Sequence, residues 1–154
     1  MALNGARAKG HDAVIMTEVH DLTNLMELEY ESSGSYGALQ GATSANGWWW
    51  FSGHSDGGPC SGSGGYPNGD NYVTQAIQLC TAIYNNSADD PSVGSTYAGY
   101  RMLWGINSPY SYNKYYSIMV YLPGAKKWYC VGTDGTSQIN WGDWGAGLGC
   151  WGNP

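Results

Sequence analysis

Few residues of this chain have the types and spacing that catalysis or metal binding requires. His54, Ser55 and Asp56 are the residue types of a hydrolytic triad, but adjacent side chains cannot converge on one substrate as nucleophile, base and orienting carboxylate. His11 and His20 lie nine residues apart with no evident third ligand, which is more typical of solvated helix residues than of a metal site. We therefore expect no catalytic site.

A group of oxygen-bearing side chains lies near the C-terminus. Asp134, Asn140 and Asp143 could supply ligands to calcium, but their spacing is not that of an EF-hand loop. Aspartate and asparagine are also common turn residues, and that is the interpretation we favour. The sequence thus predicts no cofactor, with calcium at these three residues as the alternative.

The eight tryptophans suggest a different chemistry. Exposed indole rings stack on sugars, and Trp48, Trp49 and Trp50 stand together in a stretch rich in glycine, serine and asparagine. On a strand, consecutive side chains alternate between faces, so at least one of the three would be exposed. Glycan contact is therefore one hypothesis, and burial in a core or between subunits is the alternative.

The chain has four cysteines and no Cys-x-x-Cys pair, so a zinc knuckle or thioredoxin-type site is not predicted. An even number favours two disulfides formed in an oxidising compartment, with buried free thiols in a cytosolic protein as the alternative. Four cysteines allow three connectivities. We favour Cys60–Cys80 with Cys130–Cys150, in which each pair is twenty residues apart.

Composition and charge exclude several classes of protein. The 154 residues include 24 Gly and 13 Tyr but one Phe, which suits a β-rich surface protein better than a helical enzyme. The net charge is −6 with six Lys and Arg, so the basic stripe of a nucleic-acid-binding protein is not expected. The sequence contains no apolar stretch long enough to span a bilayer.

A long helix is predicted from Ala6 to Tyr30. Apolar side chains recur there at steps of four, three, four and four, and so form one stripe: Ile15, Val19, Leu22, Met26 and Tyr30. Gly34 supplies a stop signal.

The charges of this helix oppose its macrodipole, with Arg7 and Lys9 at the start and Glu27, Glu29 and Glu31 at the end. Such a pattern is expected if the chain begins within a longer helix whose upstream part is missing. A surface helix with indifferent charges is the alternative, since each such interaction is worth only about 0.3–1 kcal/mol.

Further elements follow the long helix. A shorter helix is predicted from Asn71 to Tyr84, with Asp70 as its N-cap and one face formed by Val73, Ile77, Cys80 and Tyr84. Pro123-Gly124 predicts a tight turn, and from Gly135 onward we expect a loop. Three β-type runs favour an antiparallel meander: Tyr100 to Ile106, Tyr115 to Leu122 and Lys127 to Gly132.

The N-terminal segment resembles the second half of a type IV pilin helix. It runs from Ala6-Arg7-Ala8-Lys9 to Ser33-Gly34-Ser35-Tyr36, and in pilins a Gly-Ser/Thr-Tyr turn likewise joins the helix to the globular head. Tyr116 to Pro123 and Trp128 to Val131 look like central strands of a pilin sheet, and the Cys130–Cys150 spacing is similar to that of many pilin C-terminal loops. The resemblance covers the helix and the C-terminal half, and residues 37–99 poorly.

The resemblance implies an α+β pilin fold in one domain, residues 1–154. A long N-terminal helix would pack on an antiparallel sheet of three or four strands, with a disulfide-closed C-terminal loop. Residues 6–30 would be the C-terminal half of the pilin helix. The family's leader, processing site and apolar half-helix are not in this sequence, so we interpret it as a shortened chain in which Met1 is a start codon.

The function implied by the resemblance is structural. The chain would be a non-enzymatic subunit that polymerises through its N-terminal helix into a type IV pilus, for adhesion, motility or uptake. Its partners would be identical subunits and the inner-membrane pilus assembly machinery. Membrane contact would occur only through the missing half-helix, no direct nucleic-acid binding is expected, and the mature location would be the bacterial cell surface.

Two alternatives to a pilus subunit remain. A pseudopilin of type II secretion would bind calcium in its C-terminal loop, through Asp134, Asn140 and Asp143, and would lose thermal stability in chelator. An aromatic-rich carbohydrate-binding module would show saturable changes in tryptophan fluorescence with glycans. A plain pilin subunit should do neither.

Overall fold

The structure, a computed structural model, describes residues 2–36, 72–92, 101–107, 115–133, 135–139 and 150. Within these residues it contains two helices and four strands: α1 (Ala2–Ser33), α2 (Val73–Asn86), β1 (Met102–Asn107), β2 (Tyr115–Leu122), β3 (Lys127–Gly132) and β4 (Gly135–Ile139). The predicted α+β class, with a long N-terminal helix and an antiparallel sheet, is confirmed.

Helix α1 packs through the apolar stripe that the periodicity predicted. Ile15, Val19, Leu22 and Met26 are each 0 % exposed, and Tyr30 is partly buried against the same core. The helix is 32 residues long, which extends beyond the predicted segment at both ends. The burial of one side of α1 thus follows from the i, i+3, i+4 spacing of these residues.

Helix α1 ends at the predicted stop. Gly34 has a φ of 73°, a left-handed conformation that glycine adopts without steric cost. Its N–H donates a hydrogen bond of 2.8 Å to the carbonyl of Tyr30. This glycine-terminated end satisfies one of the free carbonyl groups of the last turn.

Helix α2 is displaced by two residues from its predicted bounds. Its N-cap position is Tyr72, which has helical dihedral angles and makes no side-chain cap hydrogen bond, so the prediction of Asp70 as N-cap is wrong. The buried face consists of Ala76, Cys80 and Ile83, a rotation from the predicted face. A small residue such as Ala76 lets the helix backbone approach the core closely, which the larger side chains of the predicted face would not.

The four strands form one sheet in the order β1-β2-β3-β4, and each strand is antiparallel to its neighbour. The predicted meander is therefore confirmed for its first three strands. Val120 lies opposite Met102 on one side and Tyr129 on the other. Met119 lies opposite Cys130, and because side chains alternate along a strand, these two sets occupy opposite faces of the sheet.

Strand β4 corrects the prediction of a loop from Gly135 onward. It pairs with β3 from Gly132 opposite Gly135 to Trp128 opposite Ile139, so two residues separate the strands. The Asp134-Gly135 dipeptide after β3 is a hairpin signal. The sequence interpretation places a turn residue at Asp134 but does not predict the strand after it.

The main core lies between the helices and the inner face of the sheet. Strand β2 contributes every second residue, Tyr116, Ile118, Val120 and Leu122, to the cluster that contains the buried side chains of α1 and α2. The sulfurs of Cys80 and Met102 lie 3.8 Å apart within it. The helix pair thus covers one complete face of the central strand.

A second, smaller core covers the outer face of the sheet. Trp128 and Cys130 are 0 % exposed there, and Ala88 and Cys150 pack against them. Cys130 and Cys150 form the predicted disulfide. Cys80 is also disulfide-bonded, and its predicted partner, Cys60, lies outside the described residues. Free thiols are excluded for the three described cysteines.

Removing the Cys130–Cys150 bond is expected to destabilise the protein mainly through the unfolded chain. Closing a loop of this length lowers the entropy of the unfolded chain, which raises the free energy of that chain by about 3 kcal/mol at 25 °C. The double variant Cys130→Ala/Cys150→Ala should therefore unfold at lower denaturant concentration, with its free energy of unfolding lower by about that amount. A reducing agent applied to this variant is the control for the remaining disulfide. A loss below about 0.5 kcal/mol would contradict a structural role for the bond.

Candidate functional site

Helix α1 is the candidate site, because the resemblance assigns assembly to it. The predicted assembly residues Ile15, Val19, Leu22 and Met26 all face the core, and Tyr30 packs at its edge. These side chains hold α1 to the sheet. Any surface that α1 presents to another molecule must therefore consist of other residues.

The part of α1 that does not face the core is its outer face. Val14 and Leu28 are 42 % and 43 % exposed, and they are the exposed large hydrophobic side chains of the described residues. Fourteen residues separate them, which places them about 21 Å apart along the axis and close to one stripe. An exposed apolar side chain is common on its own, but both of these lie on one helix.

The N-terminal part of α1 is anchored by a buried carboxylate. Asp12 is 6 % exposed, and it accepts hydrogen bonds from the backbone N–H groups of Gly124, at 2.9 Å, and Ala125, at 2.7 Å. Both donors belong to the connection between β2 and β3. A charged acceptor with two backbone donors makes a stronger contact than a neutral pair would.

This connection is longer than the predicted tight turn at Pro123-Gly124. It spans four residues, and its last, Lys126, has a φ of 55° and donates to the carbonyl of Leu122 at 2.8 Å. A Cβ on Gly124 would lie 2.5 Å from Oδ2 of Asp12 and 2.9 Å from the backbone of Ala8. Only glycine therefore allows the connection to approach α1 this closely.

The C-terminal part of α1 is anchored by an exposed carboxylate. The hydroxyl of Tyr36 donates to both oxygens of Glu27, at 3.1 and 3.2 Å, and the hydroxyl of Tyr116 donates to one of them at 3.2 Å. The ring of Tyr36 stacks on Tyr30 at 4.7 Å and meets Tyr116 edge-on at 4.8 Å. The segment after α1 is thus tied to both the helix and the sheet.

Burial raises the pKa of the Tyr36 and Tyr116 hydroxyls well above the usual range, and the negative charge of Glu27 raises both further. Ionised tyrosine is disfavoured here because it would lose hydration and lie beside another anion. Both groups therefore stay protonated and act as donors at neutral pH.

The segment after α2 makes a third polar anchor, on the outer face of the sheet. Asp90 is 8 % exposed and accepts a 2.6 Å hydrogen bond from Nε1 of Trp128, as well as bonds from the N–H and hydroxyl of Ser92. The hydroxyl of Ser87 donates to the carbonyl of Tyr121 at 2.7 Å. Buried polar groups are expected to be satisfied in this way.

No role was predicted for these anchoring carboxylates. One signal was available for Asp12: it lies three residues before Ile15 and therefore extends the apolar stripe of α1. A carboxylate on the buried side of a helix requires donors from another element. Glu27 and Asp90 carry no comparable signal, since neither belongs to that apolar stripe.

Several predicted residues lie outside the described part of the chain. These are Cys60, the glycan candidates Trp48, Trp49 and Trp50, the triad-type residues His54, Ser55 and Asp56, and the calcium candidates Asp134, Asn140 and Asp143. His20 is exposed, as expected. His11 is only partly exposed, and its Nδ1 lies 3.0 Å from Oδ1 of Asn86.

The absence of a Gly-x-Ser-x-Gly pattern around His54, Ser55 and Asp56 would argue against a catalytic serine, but that expectation is wrong. Residues 53–57 match Gly-x-Ser-x-Gly, the pattern of a nucleophile elbow. Such an elbow requires a helix directly after the serine. Gly57, Gly58 and Pro59 follow instead, and glycine and proline disfavour a helix there.

The described residues contain no group of three or more histidine, cysteine or acidic side chains that could hold a metal ion. Among the same residues, neither helix is long and apolar enough to cross a membrane. Comparisons with protein-family models, curated proteins and solved structures find no match to this chain.

Replacing Asp12 tests the anchor at the start of α1. Asp12→Ala leaves two backbone N–H groups buried without acceptors, so the free energy of unfolding should fall by about 2–4 kcal/mol. Asp12→Asn retains one oxygen acceptor and should lose less. Asp21→Ala, at an exposed position on the same helix, is the matched control and should change stability by less than about 0.5 kcal/mol. Equal effects of Asp12→Ala and Asp21→Ala in urea unfolding would contradict the anchor.

The tyrosine anchor predicts loss of stability at alkaline pH. Below the unfolded tyrosine pKa of about 10, both states are protonated. Above it, the unfolded chain releases protons that the folded chain retains, so stability falls by about 1.4 kcal/mol per pH unit for each such tyrosine. Urea unfolding of wild type and Tyr36→Phe, from about pH 8 to about pH 11.5, measures this slope. The variant should lose stability less steeply than wild type, and parallel slopes would contradict the shift.

Proposed function

We propose that this chain is the head of a type IV pilin-like filament subunit, and that helix α1 joins it to identical subunits. The observation that supports this most is the form of α1. It is a 32-residue helix that buries one stripe against the sheet and α2 and leaves the opposite side exposed.

The outer face of α1 supports the same proposal. Its exposed Val14 and Leu28 would pack against neighbouring helices in a filament, where apolar area is removed from water. The anchors at Asp12 and Glu27 hold both ends of α1 on the head, so force along the helix would pass to the sheet. A subunit under tension requires such a connection.

The disulfides support the proposed location. Cys130–Cys150 and the bond at Cys80 require an oxidising compartment, as found outside the bacterial cytoplasm. We propose that the subunit lies at the cell surface after assembly, is held in the inner membrane before it, and is recognised there by the pilus assembly machinery. We also propose that the chain has the pilin fold.

The outer face of α1 can be tested in the natural host. Leu28→Asp and Val14→Asp place a charge where a neighbouring helix would pack, so the amount of the subunit in sheared surface filaments should fall by about tenfold or more. Thr74→Asp adds the same charge at an exposed position of α2 and is the matched control. An antibody against this chain measures the subunit in filaments and in whole cells.

The stability of the isolated variants must be measured in parallel. Both α1 positions are substantially exposed, so each substitution should change the free energy of unfolding by about 0.5 kcal/mol or less. Absence of the wild-type chain from sheared surface filaments would contradict the proposed function. Filament incorporation unaffected by either α1 substitution would contradict the assignment of assembly to this face.

A further inference from the structure

A groove of about 480 Å³ runs between α1 and α2. The two helices are antiparallel, because His11 near the start of α1 contacts Asn86 at the end of α2, while the groove joins residues 18–25 to residues 75–82. Its apolar lining comes from leucine and alanine side chains. Its polar lining comes from Glu18, Asp21 and Asn24 of α1 and from Gln75 and Gln78 of α2.

The groove is negatively charged. Glu18 and Asp21 lie three residues apart on one face of α1, and no lysine or arginine of the described residues lines the groove. Within the described residues, neither carboxylate takes part in an ion pair, since the ion pair found there joins Arg101 to Asp89. The groove therefore offers two uncompensated carboxylates beside carboxamides that can donate or accept hydrogen bonds.

The positive charge of the molecule lies elsewhere, at the end where Asp12 joins α1 to the β2–β3 connection. Arg7 and Lys9 lie on the first turns of α1, Lys126 ends the connection and Lys127 begins β3; all four are exposed. None of them forms an ion pair with another described residue. Four of the six lysines and arginines of the chain are thus gathered on two adjoining segments.

The fold brings these cations together through the Asp12 anchor. Hydrogen bonds from Gly124 and Ala125 to Asp12 hold the connection against the segment of α1 that bears Arg7 and Lys9. We refer to Arg7, Lys9, Lys126 and Lys127 together as the basic end. The sequence predicted no basic stripe, and these four residues are too few to form one. Arg7 and Lys9 are two positions apart and so lie on different sides of α1, but all four cations lie at the same end of the molecule.

The basic end cannot neutralise the groove of its own molecule. Arg7 precedes Glu18 by eleven residues and Asp21 by fourteen, which corresponds to about 17 and 21 Å along the helix axis. A side chain cannot span this distance. The acidic groove and the basic end are therefore separate surfaces, and their charges can pair only between two molecules.

We propose that the groove between α1 and α2 receives the basic end of a second copy of this chain. The inference rests on the proposed function, because it specifies one contact between subunits of the filament. A contact between two different surfaces is heterologous, and when repeated it produces a ring or, where the rotation does not close, an open filament. Complementary charge would orient each arriving subunit. Burial of the exposed Val14 and Leu28 side chains of α1 would add to the affinity.

An anionic polymer or membrane fits the basic end less well. The chain has a net charge of −6, so a phosphate-bearing surface would repel most of the molecule. A second copy presents only its groove at the contact, and its remaining acidic residues can stay in solvent. Charge complementarity thus favours the second copy as the occupant.

Carbodiimide cross-linking of the isolated chain tests this contact, because it joins an amine to a carboxylate only where the two are in contact. A mixture of 15N-labelled and unlabelled chain identifies intermolecular products by mass spectrometry. We expect cross-links from Lys9, Lys126 or Lys127 of one copy to Glu18 or Asp21 of the other. Their yield should fall by about tenfold between low salt and 0.5 M salt, since screening weakens exposed ion pairs.

Charge reversal provides the specific control. Glu18→Lys/Asp21→Lys removes the reactive carboxylates of the groove, and Lys126→Glu/Lys127→Glu removes two of the three reactive amines of the basic end, so each variant alone should lose most of the groove cross-link. In a mixture, the lysines of the altered groove should become joined to the new glutamates of the altered end, a cross-link between two different chains that the wild-type chain cannot form. Thermal unfolding of each variant checks that it is folded. The salt dependence is measured on the wild-type chain, so it does not depend on the folding of any variant.

The outcomes separate this contact from the proposed function. Absence of intermolecular cross-links between groove and basic end, or insensitivity to both salt and charge reversal, would overturn the contact even if the chain is present in filaments. Cross-links that respond as expected would support the contact even if no filament contains the chain. If the chain instead cosediments with phosphatidylglycerol vesicles through the basic end and forms no groove cross-link, the occupant is a membrane and the proposal is overturned.

Discussion

The arrangement of the molecule depends on the docking of α1, and this docking depends on a buried carboxylate at the end of an apolar stripe. Asp12 binds two backbone N–H groups of the β2–β3 connection, and Ile15, Val19, Leu22 and Met26 continue the contact along the sheet. Burial of the stripe supplies most of the stabilisation, but it is non-directional. The carboxylate requires donors at one place, and so determines where along α1 the sheet can lie.

This docking determines what the rest of the surface can do. Because one stripe of α1 is used internally, Val14 and Leu28 remain on the outside. Because the β2–β3 connection is held at Asp12, Lys126 and Lys127 lie at the same end of the molecule as Arg7 and Lys9. Helix α2 packs antiparallel to α1 and leaves an acidic groove between them. Val14 and Leu28 flank the acidic Asp21 on one side of α1, and the basic residues lie at one end, an arrangement that suits a subunit that repeats in one direction.

The sequence predicted the local elements better than the contacts between them. The stripe of α1, its stop at Gly34 and the bounds of β2 and β3 follow from periodicity and turn chemistry. On α2, Cys80 is buried as predicted, but Ala76 and Ile83 take the buried positions predicted for Ile77 and Tyr84. Strand β4 was missed because the glycine-rich sequence from Gly135 onward is typical of a loop. Asp12, Glu27 and Asp90 each accept a hydrogen bond from a residue more than 30 positions away in sequence, and no local pattern specifies such pairs.

The natural gene upstream of the codon for Ala2 tests most directly whether α1 belongs to a filament subunit. The filament hypothesis predicts a short charged leader, a prepilin-type cleavage site and an apolar run of about 20 residues that continues without interruption into α1. A conventional secretory signal peptide that ends just before this chain would contradict the hypothesis. The helix would then belong to a secreted domain, and its exposed face would require a different partner.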